Sequence, residues 1–298
     1  MKADRYILPL LPLAALFATA LLADLAPRLR RLRRGLPAAV AVALVGAMAA
    51  PSVVAYVRNL DRLGPDTRTL SCQWIEANAP AGSFILAESY GPEPISALEF
   101  SALDPEVRER IRKQRPDLKV YAVLGLPMYQ VMPEATSHFY DLRFYDDLAD
   151  LVVTSSSVGS RYRKDPALFS AQVVFYDELD RRWTKVREFG PQDGTGPRIA
   201  IYRNPRLQAP FSKRAGVPAP PALPVVPDRL PGSFSGFFER LAYNYEAYGF
   251  DASAAGVYRL ALRYPDQPAD VRRKLTMNAA RCLLRAGQFV SSGSATYK

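Results

Sequence analysis

The sequence predicts a membrane α-helical hairpin, an exported α/β domain and a small α-helical, tetratricopeptide-like tail. Three observations predict this. Residues 6–23 and 36–57 are apolar and uncharged, and five arginines stand between them within residues 28–34. Short apolar runs then alternate with helical patterns over residues 59–205. Finally, eight prolines within residues 205–231 set off a second region of helical periodicity.

The hairpin is inferred from length and charge. A bilayer core about 30 Å thick is crossed by roughly 17–25 helical residues, and the two stretches hold 18 and 22. Pro9, Pro12 and Pro37 fall in first turns, where a missing N–H has no intrahelical partner. Pro51 kinks the second helix. Short loops rich in arginine stay cytoplasmic, so the loop 28–34 faces inward and the chain from Arg58 is exported. Arg5 and Tyr6 then stand at the outer end of the first helix. They serve there either as an interfacial anchor or as contacts to an anionic lipid phosphate. A cleaved signal peptide fits less well, because an arginine cluster and a longer apolar run follow.

Composition narrows the function classes. The chain has 298 residues and a net charge of +10. Residues 1–57 hold seven basic and two acidic residues and the remainder 32 and 27, so half of the excess belongs to the hairpin. No basic stripe interleaved with aromatics is present, which argues against a nucleic-acid partner. The two cysteines, Cys72 and Cys282, lie far apart without metal-ligand spacing, and two free thiols are expected. His138 is the only histidine, so a triad or zinc site would have a single imidazole. No cofactor motif is found.

Within residues 59–205, a helix is expected over 67–77, with Leu70, Trp74 and Ala77 on one face. Residues 83–88 read as a buried strand, 89–94 as a turn, and 95–103 as a short helix or irregular segment. Asp104 caps a helix over 104–114 that has proline at its first position. Strands are expected at 119–124 and 151–154, and helices at 139–148 and 165–181. Residues 186–189 and 198–202 read as a closing antiparallel pair around the turn-rich loop 190–197. The first three strands are expected to be parallel, giving an α/β sandwich.

Residues 206–233 read as a proline-rich linker. Within the tail, 234–290, aligning Gly249 with Gly287 places Ala242 on Ala280 and Tyr245 on Leu283. That 38-residue offset lies near the tetratricopeptide period of about 34. Residues 291–298 read as a disordered tail.

Candidate chemistry is sparse. Glu88 and Glu93 flank a strand-end turn, where α/β folds place functional carboxylates, although solvated loop acids are the commoner outcome. Asp146, Asp147 and Asp150 read as a solvated face or cap before a cation site. Ser155, Ser156 and Ser157 end a strand without the G-x-S-x-G nucleophile elbow, which leaves helix capping. Loop 190–197 is not a phosphate cradle, because it matches no P-loop spacing. No catalytic or metal-ligating set is assigned.

Arg5-Tyr-Ile-Leu-Pro-Leu-Leu-Pro12, Trp74-Ile-Glu-Ala-Asn78 and Pro80-Ala-Gly-Ser-Phe-Ile-Leu-Ala-Glu-Ser-Tyr-Gly-Pro92 carry a resemblance, continued by Leu151-Val-Val-Thr-Ser-Ser156 and Gly196-Pro-Arg-Ile-Ala-Ile-Tyr-Arg203. Residues 4–204 resemble the C-terminal part of bacterial polytopic glycosyltransferases similar to the dolichyl-phosphate-mannose–protein mannosyltransferases. The resemblance implies an inner-membrane transferase portion with membrane lipid and a polyprenyl-phosphate sugar as partners. It also implies that the early loop holding the catalytic acid is missing, so this portion alone would be inactive. The alternative is a membrane-anchored exported interaction protein whose C-terminal helices dock a protein partner without catalysis. An exported hydrolase lacks a base.

Overall fold

The structure is a computed structural model. Apart from a few isolated positions it describes residues 64–128, 139–220, 233–263 and 267–287. The chain divides into two units, 1–63 and 64–298, and the following concerns the second.

Local sequence explains the elements. Helix α1 (Thr67–Asn78) starts where the Asp66 carboxylate accepts from the Arg68 N–H, and ends before Pro80. Strand β1 (Phe84–Glu88) is wholly buried. Helix α2 (Ala97–Ala102) is capped by Ser96, and α3 (Pro105–Gln114) by Asp104 with proline in its first turn. Strand β2 (Ala122–Leu126) follows, then β3 (Leu151–Ser155). Next come α4 (Ser156–Tyr162), α5 (Ser170–Arg182), β4 (Thr184–Phe189) and β5 (Ile199–Arg203). Three helices close the chain: α6 (Ser233–Ala247), α7 (Asp251–Leu262) and α8 (Ala269–Arg285).

The strands form one five-stranded sheet in the order β2-β1-β3-β5-β4. β1 pairs in parallel with β2 and with β3, while β5 runs antiparallel to β3 and to β4. The parallel trio and closing hairpin read from the pattern of short apolar runs are therefore present. Alternation along β1 sends Ile85 and Ala87 to one face, where Ile75 and Ala79 of α1 cover them together with Val153, Ile199 and Ile201. Phe84 and Leu86 face the other side.

That other side carries the larger core. It runs without a break from Phe84 and Leu124 through Tyr140, Tyr145 and Phe175 to Phe211, Leu241, Tyr245 and Leu275. The last three helices are thus built onto the sheet. Asn244 of α6 donates to the carbonyl of Val123 at 3.0 Å and so occupies a carbonyl of the edge strand β2. Phe211, fully buried, meets the edges of Phe84, Tyr245, Tyr248 and Phe250 with ring centroids 5.0–5.6 Å apart. Edge-to-face pairs add about 0.5–1.5 kcal/mol each beyond area burial. Phe211→Leu is expected to cost about 2–4 kcal/mol in urea unfolding and to leave one cooperative transition.

Several expectations are corrected here. The membrane hairpin is not carried forward, because no helix among the described residues is long and apolar enough to cross a bilayer. The longest of them, α8, has 17 residues, six of them charged. The two expected spans, the arginine loop and the lipid-phosphate candidates Arg5 and Tyr6 lie outside the described residues. The fold class is a mixed α/β sheet with helices. With no spanning helix among the described residues, the inner-membrane location and the membrane-lipid and polyprenyl-phosphate-sugar partners lose their support.

The tetratricopeptide-like equivalence also fails on burial. Ala242 and Tyr245 of α6 are fully buried against the sheet, whereas Ala280 and Leu283 of the outermost α8 are only half-buried. What Gly249 and Gly287 share is a helix-ending role, each at positive φ (79° and 66°). The C-terminal helices are expected from the sequence to dock a protein partner, but the apolar face of α6 is consumed by the domain's own core, and that expectation has no support.

The helix expected at 139–148 is instead a 3₁₀ turn (Leu142–Phe144) followed by further turns. Its apolar residues are buried as expected, but Asp146 turns out to pair with Arg182 and, at 3.2 Å, with Arg206. Helix α5 begins at Ser170, five residues past the expected start, because Asp165 first caps a separate turn by accepting from the Leu168 N–H at 3.2 Å.

Candidate functional site

The strand order fixes where a site would lie. From β1 the chain crosses outward to β2 and then back past β1 to β3. The carboxyl ends of β1 and β3 therefore border a topological switch point, where open α/β sheets hold ligands. Glu88 is the last residue of β1 and Ser155 the last of β3.

Glu88 is not the solvated loop acid that is the commoner outcome for such a position. By alternation it shares the face of Phe84 and Leu86, and it is 3 % exposed. One carboxyl oxygen accepts from the Ser155 N–H at 2.8 Å, the other from the Tyr176 hydroxyl. Tyr140 and Tyr162 complete the surroundings, their hydroxyls 3.2 Å apart. Burial pushes the Glu88 carboxyl up to about 7, against the lowering effect of the bonds from Tyr176 and Ser155. Burial and the adjacent Glu88 push the Tyr176 phenol far above its ordinary value, so it remains a donor. The neighbouring Tyr140 phenol is raised as well, chiefly by burial.

Immediately after Glu88 the backbone turns tightly, and the Gly91 N–H donates to the Glu88 carbonyl at 3.2 Å. Tyr90 has a φ of 61°, the only positive value at a non-glycine residue among those described. Such a turn ordinarily places glycine or asparagine there. Glycine comes one position later in this chain, where an added Cβ would lie 2.9 Å from the Glu88 carbonyl. The strained Tyr90 is nonetheless 49 % exposed, with the Arg161 guanidinium 5.4 Å from its ring centroid. Strain of this kind collects at ligand-binding positions.

A cleft of about 740 Å³ opens beside this turn, lined by Asp66, Arg68, Cys72, Ser89, Tyr90 and Glu93 among others. Arg68 grips Asp66 through Nε and Nη2, at 2.9 and 2.5 Å. The Arg68 side-chain bond lowers the Asp66 carboxyl. Arg68 itself is raised by that bond and by the charge of Asp66, with a smaller contribution from Glu93. Cys72 is half-buried, and burial raises its thiol, helped by Glu76 and Glu93. A raised thiol is a poor nucleophile.

The remaining candidates resolve into structural roles. Ser155 accepts from the Ser157 N–H and donates to the Tyr90 carbonyl, both at 3.3 Å. Ser156 accepts from the Arg198 N–H at 2.9 Å. The Ser155 hydroxyl is thus committed to backbone groups as donor and acceptor, and the Ser156 hydroxyl as acceptor. Loop 190–197 is a hairpin connection whose Thr195 carbonyl accepts from the Thr67 N–H of α1 at 2.7 Å. Asp147 is exposed beside Arg206, and Asp150 pairs with Arg214 in the interior, so the three aspartates do not converge on one point.

Both cysteines are free. Glu246, Asp251 and Cys282 come within 4.8 Å of one another, the one such group among the described residues. Arg281 and Arg285, at 3.0 and 3.1 Å, already neutralise Glu246, and the Tyr258 hydroxyl donates to it at 2.7 Å. This is an ion-pair network in place of a cation site. His138, Arg5 and Tyr6 lie outside the described residues.

The sequence reading missed the three tyrosines around Glu88, because they come from three separate elements. Tyr90 could have been noticed, since glycine stands one place later than such a turn ordinarily takes it. Compared with family models, curated proteins and solved structures, this chain matches none. The resemblance to polytopic glycosyltransferases is corrected accordingly, together with the transferase reading drawn from it, and the tetratricopeptide reading of the tail gains no relative either. Among the described residues, the quoted segments fall in α1, in the strands of the sheet and in the segments adjoining them.

Proposed function

We propose that residues 64–287 form a binding domain for a small polar molecule with a ring or planar face, seated at the carboxyl ends of β1 and β3. The observation that carries this reading is Tyr90, an exposed aromatic ring held in a left-handed conformation at the switch point. The ring supplies a stacking platform, and Glu93 and Arg68 across the cleft supply an acceptor and donors. Binding is favoured over covalent chemistry because the Ser155 hydroxyl is committed to the backbone and burial holds Cys72 as a thiol.

The test is calorimetric titration of the full chain with nucleosides, aromatic amino acids and monosaccharides, repeated with Tyr90→Gly. Relief of left-handed strain offsets the lost ring contacts, so this variant is expected to keep its stability within about 1 kcal/mol. Saturable binding by one of these classes, lost in Tyr90→Gly, is the expected result. No binding by any class, or equal binding by the variant, would overturn the reading.

A further inference from the structure

A second cleft, of about 860 Å³, lies away from the switch point. It touches Gly82 and Val120, ahead of the amino ends of β1 and β2, and is walled by α2, α3 and α6. Its charge is one-sided. Arg108, Arg112, Arg115 and Lys213 line it, and no aspartate or glutamate does.

The three arginines stand at i, i+4 and i+7 of one helical face running off the end of α3. Like charges at that spacing repel. Of the two acids of the same helix, Glu109 pairs with Lys113 at 3.7 Å and Glu106 pairs with none of the three. Among the described residues Arg108, Arg112 and Lys213 have no carboxylate within ion-pair distance, and Arg115 has only a 3.4 Å contact to exposed Asp117. The Nε of Arg108 is buried without a hydrogen-bond partner among the described residues. An unmade bond at a buried charged group is costly. Arg112 is held over the Phe100 ring, 5.4 Å from its centroid, and Tyr243 is tied to Ser101 by a hydroxyl–hydroxyl bond. Arg108, Arg112 and Lys213 thus line the cleft beside an aromatic wall with no carboxylate among the described residues to neutralise them.

We propose that this cleft is a binding site for a soluble, multiply charged phosphate anion, such as a pyrophosphate or its organic ester. Guanidinium forks match phosphate oxygens two at a time. The half-buried Tyr243 and Tyr248 rings give an organic substituent a surface to lie on. The site is independent of the switch-point cleft.

The test uses the full chain titrated with inorganic pyrophosphate by calorimetry, at two salt concentrations. Saturable binding that weakens with salt is expected. Arg108→Ala and Arg112→Ala are each expected to lower affinity roughly tenfold or more. Lys213→Ala, at an exposed position where folding is not at stake, is expected to lower it severalfold. Arg259→Ala, exposed on α7 and outside the cleft, is the control for net charge and is expected to change nothing. Three outcomes overturn the proposal: no pyrophosphate binding, an equal loss in Arg259→Ala and the cleft variants, or binding confined to vesicles of anionic phospholipid.

Discussion

Replacing Asp150 by alanine is expected to destabilise the domain by about 3–5 kcal/mol. Asp150 stands at the amino end of β3 and gathers three donors. One oxygen accepts from the Phe84 N–H at 2.7 Å and the Phe211 N–H at 3.0 Å, and the other from the Arg214 guanidinium. Arg214 is itself about nine-tenths buried and donates to the carbonyls of Leu148, Asp147 and Ala209 at 3.0–3.1 Å. Burial pushes the Asp150 carboxyl up, while Arg214 and the two amides pull it back.

Removing the carboxylate leaves a buried cation and two unsatisfied amides, which is the expensive way to break such a pair. Removing both partners is expected to cost less than the sum of the single changes. Urea unfolding of Asp150→Ala, Arg214→Ala and the double variant measures this. Additive costs would mean that the two groups do not act together, and that this junction between the sheet and residues 204–220 is not held as the geometry indicates.

The second large effect is a pH dependence from Glu88. Its carboxyl is raised from 4.5 to about 7 in the folded domain. Between those values the folded chain holds a proton that the unfolded chain releases. Stability from this group is therefore complete below about 4.5, falls as pH rises, and is lost above about 7. At about 1.4 kcal/mol per unit the whole change is about 3 kcal/mol. Asp66 and Asp141 are lowered and give the opposite slope, at acid pH below their ordinary values. The difference between wild type and Glu88→Gln cancels those contributions. Wild type is expected to lose about 3 kcal/mol relative to Glu88→Gln between pH 4.5 and 8. A difference that stays flat with pH would place the Glu88 carboxylate in a solvated position, contrary to the tyrosine cluster around it.

Much of the sheet was legible because the strands announce themselves by short apolar runs. Residues 84–88 and 151–155 are buried at every position, as the apolar runs 84–87 and 151–153 imply for all but their polar ends. Capping was legible for the same local reason at Asp104 and at Ser155. What the sequence hid is non-local. Nothing near Phe211 says that its ring will meet Phe84, and the prolines of 205–231 suggested a spacer where Phe211 and Val217 in fact enter the core. Glu88 looked like a loop acid because its partners Ser155 and Tyr176 are 67 and 88 residues away. The basic face of α3 read as a solvated helix for a similar reason. Only the fold brings Lys213 and Tyr243 across from it.

The most direct measurement is amide chemical-shift mapping on the full chain during titration with a member of the ring-bearing panel that binds. Perturbations are expected to centre on residues 88–93 and 155–161, with Arg68 on the facing helix, and to disappear in Tyr90→Gly. Shifts centred on α7 and α8, or unchanged in Tyr90→Gly, would contradict a binding site at the carboxyl ends of β1 and β3.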